Sequence, residues 1–399
     1  MTDIIADDNQ NLVDVASKTD LKSLQVLAKM KEKAYNLCKA FLGGAWKKIP
    51  LDDMVFKRIS GGITNLLYYC GLPDYCETEN EPVDCLYRQY GRIHGKGGDA
   101  ICTENVIFML LSERKLGPKL YGVFEEGRLE EYIPASCLRR KQLKDSDLAS
   151  HIARKLAHVH AIDAPINKEP VWMIKTIERW LKDVNEKVDK APENEEESIK
   201  FPRYRSYKLD EELKWLWAVI VKMKSPVVFS HNDLQEGKLL AIRECILALL
   251  ANAHFSKAFD IANYFLESSY EYERKTSPYF DYYPQDFPTI QEQLHFIRSY
   301  LRSREQIAVG RNVGNDIETS STTTAEEEII LFEVEVFQLL ANFFWVLWSF
   351  INAFDSKILF GYWDHGEARL NEYIGHKKKL LSGNTKFQEL IKEMESEKN

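Results

Sequence analysis

The sequence predicts an α+β chain in which a small β-rich lobe precedes a larger α-rich one. Three observations lead there. Short β-prone runs broken by turn signals fill residues 55–133, and helical periodicity dominates after Ser146. With 399 residues, 45% of them hydrophobic and 29% charged, the chain can bury a substantial core, which excludes wholesale disorder.

The elements follow in order. Residues 1–20 are polar and acidic and read as a flexible N-terminus. Leu21 to Leu42 carries apolar residues at helical spacing (Leu24, Val26, Leu27, Met30, Ala34) and stops at Gly43-Gly44. Strand runs fit Val55-Phe56, Leu66 to Cys70 and Cys85 to Tyr90, with turns at Gly61-Gly62 and Pro73-Asp74. A helix fits Thr103 to Leu116, closed by Gly117-Pro118. Leu120 to Phe124 and Leu129 to Ile133 suit a hairpin through Glu126-Gly127, and Pro134 leads out of the sheet. Further helices fit Leu148 to Ile162, Met173 to Val188 and Leu209 to Met223, and Pro226 to Ser230 is a short buried strand. Glu193 to Glu197 and Arg304 to Glu328 lack core spacing and read as exposed loops. Leu239 to Ala253 is rich in Leu and Ala, and its propensity favours a helix over a hairpin.

Composition narrows the function. The 53 basic and 61 acidic residues give a net charge of -8, which does not suit a chain that coats nucleic acid or anionic lipid. The N-terminus lacks the basic-then-apolar pattern of a secretory signal, and no run of about 18 uninterrupted apolar residues suggests a membrane span. Seven scattered cysteines without metal-type spacing read as reduced, mostly structural thiols, and the expected location is cytoplasmic.

The sharpest local signal is His231-Asn232-Asp233, directly after a strand. An Asp held there can accept a hydroxyl proton, as phosphoryl transfer requires. The triplet alone also suits an ordinary turn capped by Asn and Asp. Its surroundings, Val227 to Gly237 (VVFSHNDLQEG), resemble the catalytic loop of the choline/ethanolamine kinase family, a branch of the protein-kinase-like fold. The same family's motifs recur in order at Phe41 to Trp46 (FLGGAW), Ile59 to Asn65 (ISGGITN) and Leu111 to Gly122 (LSERKLGPKLYG). They continue at Gly127 to Pro134 (GRLEEYIP), Gln293 to Leu301 (QLHFIRSYL) and Phe343 to Ser349 (FFWVLWS). The resemblance runs from about residue 30 to 380 and favours the choline branch.

That resemblance implies a bilobal kinase-like fold, with 21–134 as the ATP-binding lobe and 135–399 carrying the catalytic loop and choline pocket. It implies Asp233 as catalytic aspartate, set in His231-Asn232-Asp233. Ser60, Gly61 and Gly62 become the turn over the ATP phosphates, with Asn65 closing that motif. Arg88 becomes the phosphate contact, paired with Glu104, and Glu131 and Ile133 lie at the adenine hinge. Choline would sit on Glu267, Tyr272, Trp345 and Trp348. That set has its own physical logic, because a quaternary ammonium donates no hydrogen bond and is held by aromatic faces and a nearby carboxylate. His365 stands where the family has a further pocket tyrosine. ATP and Mg²⁺ are the implied cofactors, choline the substrate and a second copy of the chain the partner.

The sequence departs from the family at the metal. Counting HxDxxxxN from His231 lands on Lys238. Counting back from Ala258-Phe259-Asp260 puts Ala248-Leu249-Leu250 on the Asp-Phe-Glu positions. A charged ammonium and a methyl group coordinate nothing, so the resemblance leaves two readings: an ATP-dependent choline kinase, or a catalytically impaired relative that binds choline or an active paralogue. The change at His365 adds a preference for ethanolamine as a lesser alternative.

Overall fold

A computed structural model describes residues 18–59, 65–90, 98–134, 136–235, 239–242, 245–248, 253–310, 324–356 and 358–397. Ser60, Gly61, Gly62 and Lys238 lie outside the described residues, as do most of residues 1–20 and Leu249-Leu250. Contacts divide the chain into two units, residues 1–97 with 118–132, and residues 98–117 with 133–399. The sequence reading drew its first lobe as 21–134; packing groups 98–117 with the second unit instead.

The first unit is an antiparallel sheet backed by a helix. Helix α1 (Lys18–Phe41) is followed by β1 (Val55–Ile59), β2 (Asn65–Gly71) and β3 (Asp84–Tyr90), and the unit ends with β4 (Leu120–Phe124) and β5 (Gly127–Glu130), in the spatial order β1-β2-β3-β5-β4. Ala34 and Cys38 of α1, Trp46, Met54, Tyr68, Tyr87 and Leu129 form its core. Gly127 is required where β5 meets β3, since a Cβ there would lie 2.1 Å from the Arg88 carbonyl oxygen.

Helix α2 (Gly98–Glu113) opens the second unit and contributes Ile107 and Leu111 to a cluster with Val159 and Phe229. After β6 (Ser136–Cys137) come α3 (Ser146–His160), α4 (Val171–Val188), α5 (Glu195–Ser206) and α6 (Leu209–Met223). The acidic run read as a loop is largely the first turn of α5. The Asn194 side chain accepts from Glu197 N, and Glu195, Glu196 and Glu197 sit at the positive end of the helix dipole. Acidic residues without core spacing can thus be an N-terminus rather than a loop.

Next come β7 (Val227–Ser230), β8 (Leu239–Ile242), β9 (Cys245–Ala248) and β10 (Ala253–Ser256). The helix favoured for Leu239 to Ala253 is corrected by this hairpin. β8 pairs with β9 in register and with β6 on its other edge, so sheet partners override a modest Leu/Ala helix preference. Then follow α7 (Lys257–Glu267), β11 (Tyr270–Glu271), β12 (Asp281–Tyr282), α8 (Ile290–Ala308), α9 (Thr324–Asp355), α10 (Tyr362–Gly383) and α11 (Thr385–Ser396). The proposed loop Arg304 to Glu328 is also partly corrected, because α8 extends to Ala308 and α9 begins at Thr324. Thr289 opens α8 with a capping box to Glu292.

Helix α9 forms the core of this unit. Among the described residues it is the one helix long and apolar enough to cross a membrane, but 78% of its apolar window is buried inside the protein. It packs against α7 and α10, which brings Trp345 to Asn263 of α7 and Trp348 to His365 of α10.

Candidate active site

The loop His231 to Gln235 is held from beneath by α7. β7 and β10 pair antiparallel, and α7 begins directly after β10 with Ser256 as its cap. Asp260, in the first turn, is wholly buried and uses both oxygens on the loop: Oδ2 accepts from His231 N at 2.7 Å and Oδ1 from Asn232 N at 2.6 Å. Oδ2 also meets His160 Nε2 at 3.0 Å, whose Nδ1 contacts the Tyr300 hydroxyl at 2.9 Å. Asn232 adopts a left-handed φ of 62°, which Asn tolerates better than most residues. His231 and Asn232 are buried, whereas Asp233 is half-buried, so the turn presents the third member of the triplet. Gln235 Nε2 donates to Asp233 Oδ1 at 3.0 Å.

A second cluster gathers all four predicted choline residues around a buried ion pair. Glu267 ends α7, and its carboxylate accepts from Arg369 of α10 and, at 3.1 Å, from the Tyr272 hydroxyl. The Arg369 guanidinium lies 3.6 Å from the Tyr270 ring centroid and 6.0 Å from that of Trp345. Trp345 and Trp348 sit edge to face, 5.3 Å between centroids, and Trp345 Nε1 donates to Asn263 Oδ1 at 2.6 Å. His365 lies 6.0 Å from the Tyr272 ring and 6.3 Å from Trp348. Tyr272, Trp348 and Phe360 are half-buried, so the accessible part of the cluster is aromatic.

Burial pushes the Glu267 carboxyl above its ordinary range, and the Arg369 charge partly offsets this. Nearby Asp233 also raises it, which puts the two carboxylates within electrostatic reach of each other. His365 is driven well below its ordinary pKa by burial and by Arg369, so it is neutral at pH 7. Arg369 Nε donates to His365 Nε2 at 3.4 Å, leaving Nδ1 as the protonated nitrogen, 2.7 Å from Ser349 Oγ. Ser349 in turn donates to the Trp345 carbonyl at 2.7 Å.

In the first unit, Arg88 of β3 is held by its own sheet. Its Nε lies 3.1 Å from each Glu130 oxygen and its Nη2 2.6 Å from Oε1, while Arg128 Nε donates to Oε2 at 2.7 Å. Burial would raise the Glu130 carboxyl, but Arg88 and Arg128 together hold it below its ordinary value. Sequence reasoning did not name Glu130 beside Glu104; its place in β5 opposite Leu86 is what brings it within reach of Arg88. Glu104 is a half-buried residue of α2, in the second unit. Glu131 caps the neighbouring strand, accepting from Lys119 N at 3.0 Å, and Asn65 opens β2 opposite Tyr90. Ile133 is half-buried just after that strand pair.

The profile described as Choline/ethanolamine kinase matches residues 56–374. The chain belongs to the choline/ethanolamine kinase family. A human choline/ethanolamine kinase is 38% identical over 358 residues, spanning 88% of this chain and 87% of its own length. Choline kinase A2 of Caenorhabditis elegans is 33% identical, covering 93% and 91%. A choline kinase crystal structure from Cryptosporidium parvum superposes with a TM-score of 0.72 at 27% identity, covering 88% of this chain and 96% of that one. An ethanolamine kinase from Plasmodium vivax shares the fold, with a TM-score of 0.64 at 20% identity.

Within this family member the kinase-type Mg²⁺ ligands are the part that does not fit. Ala248 ends β9 opposite Leu239 and carries no donor. Asp260, an alternative carboxylate further along the chain, is engaged with the loop backbone and His160. Sequence reasoning also missed Arg369. It lies four residues after His365 on α10, a spacing that puts the two on one helix face.

Proposed function

We propose that this chain transfers a phosphoryl group to the hydroxyl of choline, giving phosphocholine for phosphatidylcholine synthesis. The observation that carries this is the Glu267–Arg369 pair surrounded by Tyr272, Trp345 and Trp348, in the unit that also presents Asp233. Glu267 is already neutralised by Arg369, so the pocket offers a cation aromatic faces rather than a bare buried charge, each contact worth about 0.5–2 kcal/mol. ATP supplies the phosphoryl group. Asp233 accepts the hydroxyl proton, Gln235 orients its carboxylate, and Asp260 fixes the backbone beneath it. Arg88, with Ser60, Gly61, Gly62 and Asn65, is assigned to phosphate contact, with Glu104 as a further carboxylate for Arg88, and Glu131 and Ile133 to the adenine hinge. A cytoplasmic homodimer completes the reading.

A second reading rests on Ala248 and Lys238: a choline-binding relative with impaired catalysis. The test is phosphocholine formation by purified protein with ATP, Mg²⁺ and choline, beside Asp233→Ala. Turnover above that blank supports the kinase. Turnover equal to the blank, from folded protein that still binds choline, sinks the catalytic claim and leaves binding. An ethanolamine arm in the same assay tests the lesser alternative that His365 suggests.

A further inference from the structure

The first unit contains a group of chemically reactive side chains that phosphoryl transfer does not use. Cys70 of β2 and Cys85 of β3 are direct cross-strand partners, so their side chains leave the sheet on the same face. Cys38 of α1 lies over that face. All three are wholly buried, and their sulfur atoms lie within 4.8 Å of one another, with Cys38 and Cys85 at 3.7 Å. A single buried thiol is an ordinary small apolar residue. Three thiols converging on one point from three elements make a different object.

We infer that Cys38, Cys70 and Cys85 form a sulfur-only site for one Cu(I) ion. Three sulfurs each about 2.3 Å from a central ion stand about 4 Å apart, close to the 3.7 Å between Cys38 and Cys85 and inside the 4.8 Å that bounds all three. Small side-chain rotations therefore close the site without moving the strands. The donor set selects the ion. Thiolates favour soft metals, Cu(I) among them, over oxygen-seeking ones. A closed structural Zn²⁺ site takes four ligands, and among the described residues no His, Asp or Glu joins the three sulfurs. The site lies in an apolar cluster with Ala34, Trp46, Ile49, Met54 and Leu129 and the rings of Tyr68 and Tyr87, so the single charge of Cu(I) balances one thiolate, whose proton leaves to solvent, and the other two sulfurs bind as neutral thiols. Bound there, it ties α1 to the centre of the sheet. The ligands stand at 38, 70 and 85, a spacing with no sequence signature, which is why the sequence shows only scattered thiols.

The test is anaerobic titration of the full-length reduced protein with Cu(I) against a chromophoric Cu(I) chelator. One equivalent should be withheld from the chelator, with near-ultraviolet thiolate-to-copper absorption and a three-sulfur shell at the copper absorption edge. Cys85→Val, which suits a buried strand position, should lose that equivalent while remaining folded by circular dichroism. Zn²⁺ loaded the same way should pass to a chelator. The inference fails if the chelator takes all the copper from the wild type, or if Cys85→Val withholds as much. The first failure means unreactive packing; the second places the copper on other thiols, such as half-buried Cys76 or exposed Cys102. It also fails if Zn²⁺ is retained and Cu(I) is not. The wild-type edge spectrum decides even if the variant does not fold.

Discussion

Asp260 accepts two backbone N–H groups and faces His160, all in the protein interior, so replacing it strands several polar groups at once. Each buried group left unsatisfied costs about 1–3 kcal/mol. Asp260→Ala should lower unfolding free energy by about 3 kcal/mol in urea titration and reduce kcat at least tenfold, because the same bonds hold the loop carrying Asp233. A variant with wild-type stability would show that the loop holds itself. Glu372 gives a pH prediction. Half-buried on α10, it accepts from the Tyr270 hydroxyl at 3.0 Å, and burial raises its pKa to about 7 despite nearby Arg369. A carboxyl whose folded pKa is raised binds its proton more tightly in the folded state. Its stabilising effect is full below about 4.5, its unfolded value, and is lost as pH rises through about 7. His365 acts oppositely, since its depressed pKa makes stability fall as pH drops below its ordinary value of 6.5. Glu372→Gln isolates the first effect: relative to the wild type the variant should gain stability between pH 5 and 8, by at most about 3 kcal/mol. No pH-dependent difference between the two melting curves would refute it.

At the scale of elements, the close approach of α9 and α10 assembles the aromatic cluster proposed to hold choline. Gly366 of α10 permits it, because a Cβ there would stand 2.5 Å from the buried Phe350 ring. Trp345 and Trp348 lie on α9, His365 and Arg369 on α10, so the spacing of these helices sets the spacing of the pocket. Gly366→Val should cost about 1–3 kcal/mol by overpacking. It should also raise the KM for choline several-fold, with little change in the KM for ATP. Equal effects on both would mean a general loss of structure. How much of this the sequence disclosed follows from the range of the interactions. The Trp345/Trp348 face was legible from a three-residue helical spacing, and the strands β1 to β5 from local patterning. The hairpin β8–β9 was not, since what decides it is the edge of β6, about a hundred residues earlier in the chain. Glu130 and Arg369 were missed for the same reason: their partners are fixed by register and helix packing, which no local pattern encodes.

For the molecule as a whole, the proposed function divides its parts between the two units, Arg88 in one and Asp233 with its aromatic cluster in the other, and the family motif assigns the metal positions to Lys238 and Ala248, which offer no oxygen donor. On the proposed reading, the braced loop would keep the catalytic geometry, and the substituted metal positions would remove charge stabilisation of the transition state. These two statements make separate predictions. If geometry is retained and only metal ligation is gone, Mg²⁺-dependent turnover should be lower by a factor of about a thousand or more than with ligands present, several kcal/mol of electrostatic stabilisation. Restoring the ligands should then recover it. The double variant Lys238→Asn/Ala248→Asp should raise kcat by about a thousandfold and make it rise with Mg²⁺ concentration, whereas either single change should recover less. The aromatic cluster is untouched by these substitutions, so choline affinity should stay constant, a check available by calorimetry. A double variant that folds, binds choline and still shows no Mg²⁺-dependent rate would mean that the departure extends beyond the two ligands. The stretch from Leu239 to Ala253, which carries position 248, would then be the next place to test.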